Sequence, residues 1–335
     1  MTMTAPIIHG GAITEAAARF GGAPGDWLDL STGINPCPAA LPEIEARVWQ
    51  RLPDRHIEDA ARAAASRYYL AGGVLPLPVP GTQAVIQLLP HLADVGKRAA
   101  IFAPTYGEYA RVLTAAGFAL DFIEGAEDLA DRYGLAVIVN PNNPTGRLFP
   151  PQAILAMAEA MRAHGGLVVV DEAFGDLEPE ASVAPHVGAH DNLVVFRSFG
   201  KFFGLAGLRL GFVVAAEVIL EVLRERLGPW AVSGPALAVS AKLMESDTSQ
   251  IKGRILERRA ALDAVLRKAG LQVAGGTGLF ALVEHERAND LHAALCEAHI
   301  LTRKFDYNPR WLRIGLSADV NGDRRLAEAL NRAGV

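Results

Sequence analysis

The chain reads as an α/β fold, with a mostly parallel central sheet flanked by helices in a large domain and a smaller α+β domain after it. Three observations predict this. Short apolar runs recur as "RAAIFA" (98–103), "LAVIVN" (135–140), "GLVVVDEA" (166–173), "NLVVFRS" (192–198) and "LGFVVA" (210–215). They are continuous rather than alternating, as in strands covered on both faces. Helical patterns lie between them, and alternating strand and helix builds a parallel sheet. After residue 215 the pattern changes to longer helices and shorter strand-like runs.

The elements follow in order. "PQAILAMAEAMRAHG" (151–165) opens with proline and closes with glycine, the usual punctuation of a helix. Residues 217–227 are helical, and "IKGRILERRAALDAVLRKAG" (251–270) is a long amphipathic helix ending at Gly270. "LFALVEH" (279–285) and "WLRIGLS" (311–317) read as strands that flank the helix "ANDLHAALCEAH" (288–299). The expected division is an N-terminal segment and part of the small domain over 1–48, a large domain over 49–225 and a small domain over 226–335.

Composition narrows the function. The chain has 335 residues, half of them hydrophobic, enough for two lobes of one enzyme. A net charge of −5 with scattered basic residues argues against nucleic acid. Cys37 and Cys296 form neither a disulfide framework nor a metal spacing, so a reducing, cytoplasmic setting without a metal is expected. "MTMTAPIIHGG" lacks the pattern of a secretion signal. The longest stretch without Asp, Glu, Lys or Arg, 68–93, holds four prolines and cannot be an ordinary membrane helix.

In open α/β sheets, ligands bind beyond the carboxyl ends of the strands. Those ends carry "PTYGEY" with Tyr106, "PNNPTGR" with Asn143, then Asp171, then Ser198 leading to Lys201. "PGTQAVIQLL" adds Gly81, Thr82 and Gln83 at a helix start, a ready anion site. Phosphate-loop, dinucleotide, zinc-peptidase and nucleophile-elbow motifs are absent.

With these residues in view, "NPNNPTG" (140–146), "VVDEAF" (169–174) and "SFGKFFGLAGLRLGF" (198–212), followed by "WLRIGLS", resemble fold-type I pyridoxal-phosphate enzymes of the class I/II aminotransferase family. The resemblance covers essentially the whole chain. It implies a pyridoxal 5'-phosphate cofactor, linked covalently to Lys201, which also acts as acid and base. It implies that Asp171 pairs with the pyridine nitrogen, Asn143 bonds the ring's 3-oxygen and Tyr106 stacks on the ring. The cofactor phosphate would take Gly81, Thr82, Gln83, Ser198 and Arg209, and Arg313 would clamp the substrate carboxylate. A homodimer is also implied. Two positions depart from the family pattern: Phe174 and Leu52 stand where tyrosines are common, with His56 close to the second.

Within the family, "IIHGGAITEAAARFG", "WLDLSTGINPCP" and "ILTRKF" resemble the L-threonine-O-3-phosphate decarboxylases of cobalamin synthesis, although Ala12 replaces their usual Asn. The alternative is an aminotransferase acting on histidinol phosphate or another amino acid. Either substrate is a phosphorylated amine, so a second anion site is expected. Its candidates are His9, Asn35, Arg147, Arg303 and Arg313, with Arg303 and Arg313 preferred.

Overall fold

The computed structural model describes residues 9–334. Its strands, in chain order, are β1 (Leu28–Asp29), β2 (Leu77–Val79), β3 (Arg98–Phe102), β4 (Leu120–Ile123), β5 (Tyr133–Val139), β6 (Leu167–Asp171), β7 (Leu193–Ser198), β8 (Gly211–Val214), β9 (Gln272–Thr277), β10 (Phe280–Glu284), β11 (Ile300–Leu301), β12 (Arg303–Phe305) and β13 (Asn308–Gly315). Seven of them form one sheet in the order β2-β8-β7-β6-β5-β3-β4. β3, β4, β5, β6 and β7 pair in parallel, and β8 runs antiparallel to β7 and to β2.

The continuous apolar runs have a direct cause. Side chains alternate across a strand, and both faces of this sheet are covered. Val137, Val139, Val169 and Val194 pack on one face with Tyr109, Val112 and Leu113. Ala136, Ile138, Val168 and Val170 pack on the other with Ile154, Met157 and Met161. The second set comes from the helix Pro151–Arg162, which starts on proline as expected. The helix Arg55–Tyr68 is capped by Asp54, whose side chain accepts the Ile57 N–H at 3.2 Å.

The strands without a clear sequence signal are short or peripheral. β2 carries Pro78, which an edge strand tolerates because one of its sides needs no ladder bond. β4 is the other edge, and its Phe122 is exposed. β9 contains two glycines and pairs antiparallel with β10 through an irregular register.

The chain divides into two compact units. The larger holds 39–143 and 147–248, and the smaller holds residues up to 38, the stretch 144–146, and 249 onwards. The larger unit thus extends past the expected limits of 49 and 225 at both ends. The reason is packing: the helix Gly234–Glu245 lies along the helix Arg55–Tyr68, with Arg67 paired to Glu245. Gly234 also has no side chain to fend off the Val48 carbonyl, which would lie 2.9 Å from an added Cβ.

The smaller unit has the antiparallel sheet β12-β13-β10-β9 and the parallel pair β1–β11. Its helices are Ser249–Lys268, Ala288–Glu297 and Val320–Arg332. Arg258 is buried among them, donating to the Ser317 carbonyl at 3.0 Å and pairing with Asp323. Thr145 belongs here because its carbonyl accepts the Gly276 N–H at 3.1 Å. An added Cβ at Gly275 would stand 2.1 Å from that carbonyl oxygen, so only glycine admits the approach. Among the described residues, no helix is long and apolar enough to cross a membrane.

Candidate active site

The parallel strands deliver their carboxyl ends to one edge of the large sheet. β6 ends on Asp171, which is buried. Its Oδ1 accepts the Ala173 N–H at 2.9 Å, and its Oδ2 accepts the Tyr109 hydroxyl at 2.8 Å. Burial pushes the Asp171 carboxyl above the ordinary range. The Tyr109 and Ala173 hydrogen bonds and the charges of Lys201 and Arg197 act against that push. Lys201 is therefore near enough to Asp171 for their charges to interact.

β7 ends on Ser198, and a short helix, Phe199–Phe202, carries Lys201. The Lys201 Nζ stands 4.6 Å from the centre of the Phe174 ring, a cation–π contact. Gly200 permits the tight return of this segment, since its Cβ would come 2.6 Å from Ala206 Cα. Arg209 then adopts the left-handed conformation, φ 51°.

The register of β7 on β8 sets Ser198 opposite Gly211. An added Cβ at Gly211 would lie 3.1 Å from the Thr82 nitrogen. Gly81 has φ 77°, and its Cβ would lie 2.9 Å from Arg209 Nη2. Gly81, Thr82, Ser198 and Arg209 therefore converge around a cradle that a side chain at 81 would invade. A cationic guanidinium, a hydroxyl pair and a glycine-led turn form a donor set suited to a phosphate.

Gln83 takes a different part in the site. Tyr106 donates its hydroxyl to Gln83 Oε1 at 3.0 Å. Gln83 Nε2 in turn donates to Glu108 at 2.8 Å, and the buried Glu108 is paired with Arg111 at 2.6 Å. The side chain of Gln83 therefore aims the Tyr106 ring, which leaves its main-chain N–H for an anion. Tyr106 also meets Tyr109 edge to face, with ring centres 6.2 Å apart.

Asn143 is half-buried at the tip of the loop after β5. Its neighbours hold that loop. Asn142 accepts from the Thr105 hydroxyl at 2.6 Å and donates to the Pro104 carbonyl at 2.9 Å. Asn140 bonds both the N–H and the carbonyl of Phe149. Arg147 stacks its guanidinium on the Phe149 ring at 4.3 Å. Leu52 is exposed, as is His56 in the first turn of the helix Arg55–Tyr68.

The expected substrate residues lie in the smaller unit. Arg303 and Arg313 face each other directly across the β12–β13 ladder. Arg313 is buried, lies 4.9 Å from the Phe280 ring centre and donates to the Ser31 carbonyl. The "HGG" turn sits against the same serine: the Gly11 N–H donates to Ser31 Oγ at 2.8 Å, and a Cβ at Gly10 would be 2.5 Å from the Ser31 carbonyl oxygen. His9, at the head of that turn, is exposed. Asn35 is buried and its side-chain oxygen accepts the Cys37 N–H at 2.9 Å. Ser31 thus joins the His9 turn to Arg313.

Two residues escaped sequence reasoning. Tyr109 gives no distinct signal, because a second tyrosine three places after Tyr106 looks like helix packing. Arg197 precedes Ser198 inside an otherwise apolar strand. It is buried against Glu172 at 2.6 Å and Asp176 at 3.5 Å, and lies over the Tyr69 ring at 4.4 Å. A charge within a buried run is the signal, since it must find buried partners.

The chain is similar to known proteins along nearly its whole length. The family model described as aminotransferase class I and II matches residues 25–330. A threonine-phosphate decarboxylase from Sinorhizobium sp. is 66% identical over 98% of this chain and 99% of its own length. One from Pseudomonas aeruginosa is 43% identical over 96% of each. Among solved structures, the histidinol-phosphate aminotransferase from Clostridium acetobutylicum aligns with a TM-score of 0.79 at 21% identity, covering 92% of this chain and 99% of that one.

Proposed function

The chain belongs to the class I and II aminotransferase family, and from that premise we propose that it is a pyridoxal-phosphate-dependent threonine-phosphate decarboxylase. It converts L-threonine O-3-phosphate to (R)-1-amino-2-propanol O-2-phosphate in cobalamin biosynthesis. The full-length likeness to two decarboxylases carries this reading. The aminotransferase alternative has less behind it, since the relatives at 66% and 43% identity bear the decarboxylase name.

The residues present fit pyridoxal 5'-phosphate. The Gly81–Arg209 cradle suits its phosphate. Against the opposing push of burial, the Tyr109 and Ala173 hydrogen bonds and the charges of Lys201 and Arg197 favour the charged form of Asp171, which suits a protonated ring nitrogen. When bound, this cofactor supplies an electron sink for the pair released at Cα. Asp171 keeps a proton at the ring nitrogen. Lys201, held over Phe174, would provide the amine for covalent attachment and would move protons at Cα. Asn143 would bond the 3-oxygen without help from position 174, where phenylalanine has no hydroxyl to offer. Gly81, Thr82, Ser198 and Arg209 hold the phosphate, while Tyr106, aimed by Gln83, covers the ring.

In the smaller unit Arg303 and Arg313, opposite each other on the β12–β13 ladder, would bind the carboxylate and phosphate of the substrate, with His9 and Asn35 as further candidates. Their grip decides which bond at Cα is presented for cleavage. Assembly is as a homodimer through the larger unit, whose Trp49, Leu52 and Trp230 are exposed apolar side chains.

The test is direct. The purified protein should take up pyridoxal phosphate and turn yellow. Incubated with L-threonine O-3-phosphate, it should release CO2 with no keto-acid acceptor. Turnover that requires 2-oxoglutarate and yields no CO2 would replace decarboxylation by transamination.

A further inference from the structure

Tyr109 has its whole ring in the core of the larger unit, packed with Val112, Leu113 and Val137 on one face of the sheet. Packing alone calls for phenylalanine there. A hydroxyl taken into that core costs free energy unless it is bonded, and this one is spent on Asp171 Oδ2 at 2.8 Å. The other carboxylate oxygen is taken by the Ala173 N–H at 2.9 Å. The two bonds come from different elements, the helix Glu108–Ala115 and the turn after β6, and together they fix the plane of the carboxylate.

We propose that Tyr109 is a positioning residue for the cofactor ring: its hydroxyl holds Asp171 in one orientation and in the charged form, ready to pair with the protonated ring nitrogen. The proposal rests on the function given above and adds to it the residue that maintains the ring's partner.

The chemistry of the pair runs one way. The Tyr109 phenol is held well above its ordinary range, first by burial and then by the charge of Asp171, so it stays a donor throughout the working pH range. It cannot draw the proton from the carboxyl group. The other groups that act on Asp171 are Lys201 and Arg197, both positive. Tyr106 stands beside Tyr109, with its own hydroxyl committed to Gln83. Tyr109 thus supplies the uncharged donor among the side chains that keep Asp171 ionised. It does so without competing for the cofactor as another cation would.

Tyr109→Phe tests this in the holoenzyme. Losing a buried hydrogen bond to a charged group should weaken pyridoxal phosphate binding about tenfold and lower kcat by about the same factor. The KM for threonine phosphate should change less than about twofold, because Tyr109 is buried in the core of the larger unit and acts through Asp171. The pH midpoint of the cofactor's visible absorbance should move upward. A ring nitrogen that carries less positive charge repels the proton on the lysine linkage less, and a packing role would leave that midpoint in place. Far-ultraviolet circular dichroism of the variant checks that it folds.

A second measurement uses Asp171→Asn. In that background Tyr109→Phe should change cofactor affinity less than about twofold, because the partner is already gone. The proposal is overturned by unchanged affinity, kcat and midpoint in Tyr109→Phe, or by equal effects of the change in both backgrounds. Failure of the wild-type protein to take up pyridoxal phosphate would instead defeat the functional reading, before any variant is made.

Discussion

Gly81 and Asp171 show how a site is paid for at single positions. Gly81 serves at φ 77° and leaves space beside Arg209. Gly81→Ala meets both constraints at once, a left-handed backbone costing about 1–2 kcal/mol and a Cβ against the guanidinium. Pyridoxal phosphate should bind roughly tenfold more weakly, measured by absorbance titration of the apoprotein. Asp171 illustrates a second cost. Its folded pKa is raised by burial, so between the ordinary Asp range and that raised value the folded state binds more protons than the unfolded one. Stability contributed through this group is greatest at low pH and is lost as pH rises through the folded value. Asp171→Asn apoprotein should therefore melt higher than wild type near neutrality, and the gap should close on acidification. Thermal unfolding of the two apoproteins across pH measures it, and an Asp171→Asn protein that melts lower at every pH would contradict the account.

At the scale of elements, the β6–β7 pair is locked behind the site by ions rather than by apolar packing alone. Arg197 from β7 bridges Glu172, just past β6, and Asp176. Ser182 and the Val183 N–H also bond Glu172, at 2.6 and 2.7 Å. Arg197→Met would strand two buried carboxylates, at a cost of roughly 3–5 kcal/mol in denaturant unfolding. A loss under about 1 kcal/mol would contradict this locking role. In the smaller unit, His292 on the helix Ala288–Glu297 bonds Thr302 at 2.9 Å and is depressed to about 4, mainly by burial and further by Lys304 and Arg19. The neutral form is the folded one, so this stability is present above the ordinary histidine pKa and drains away as pH falls toward 4. His292→Gln should reduce the acid sensitivity of unfolding by on the order of 1–2 kcal/mol across that window. The strands at these elements were legible where they are central, because burial on both faces writes an unbroken apolar run. β2, β4, β9 and β12 were not, because an edge strand or a glycine-rich strand is held by ladder bonds that any residue can make.

For the whole molecule, the exposed aromatics of the larger unit bear on assembly. Trp49 is 67% exposed and Trp230 59% exposed. Replacing both with glutamate, in Trp49→Glu/Trp230→Glu, should convert the proposed dimer to a monomer in sedimentation velocity, and an unchanged mass would contradict an interface at these residues. The division of the chain is also a property of the whole. The helix Gly234–Glu245 follows the last strand of the sheet, so in linear order it looks like the start of the second lobe. Its packing on the helix Arg55–Tyr68 assigns it to the first.

What the sequence determined by itself is the class of the fold and the order of the candidate donors and acceptors. Apolar runs, helix punctuation and the order of Asn143, Asp171, Ser198, Lys201 and Arg209 are local facts, and local sterics and chemistry suffice to read them. Tertiary structure decided what those donors lean on. Tyr109 against Asp171, Gln83 against Tyr106, Arg197 against Glu172, and Thr145 against Gly276 are contacts across 62, 23, 25 and over 100 residues of chain. A spacing rule cannot carry such pairs, because each is set by strand register and by how closely two backbones approach. Those distances exist only once the sheet is formed.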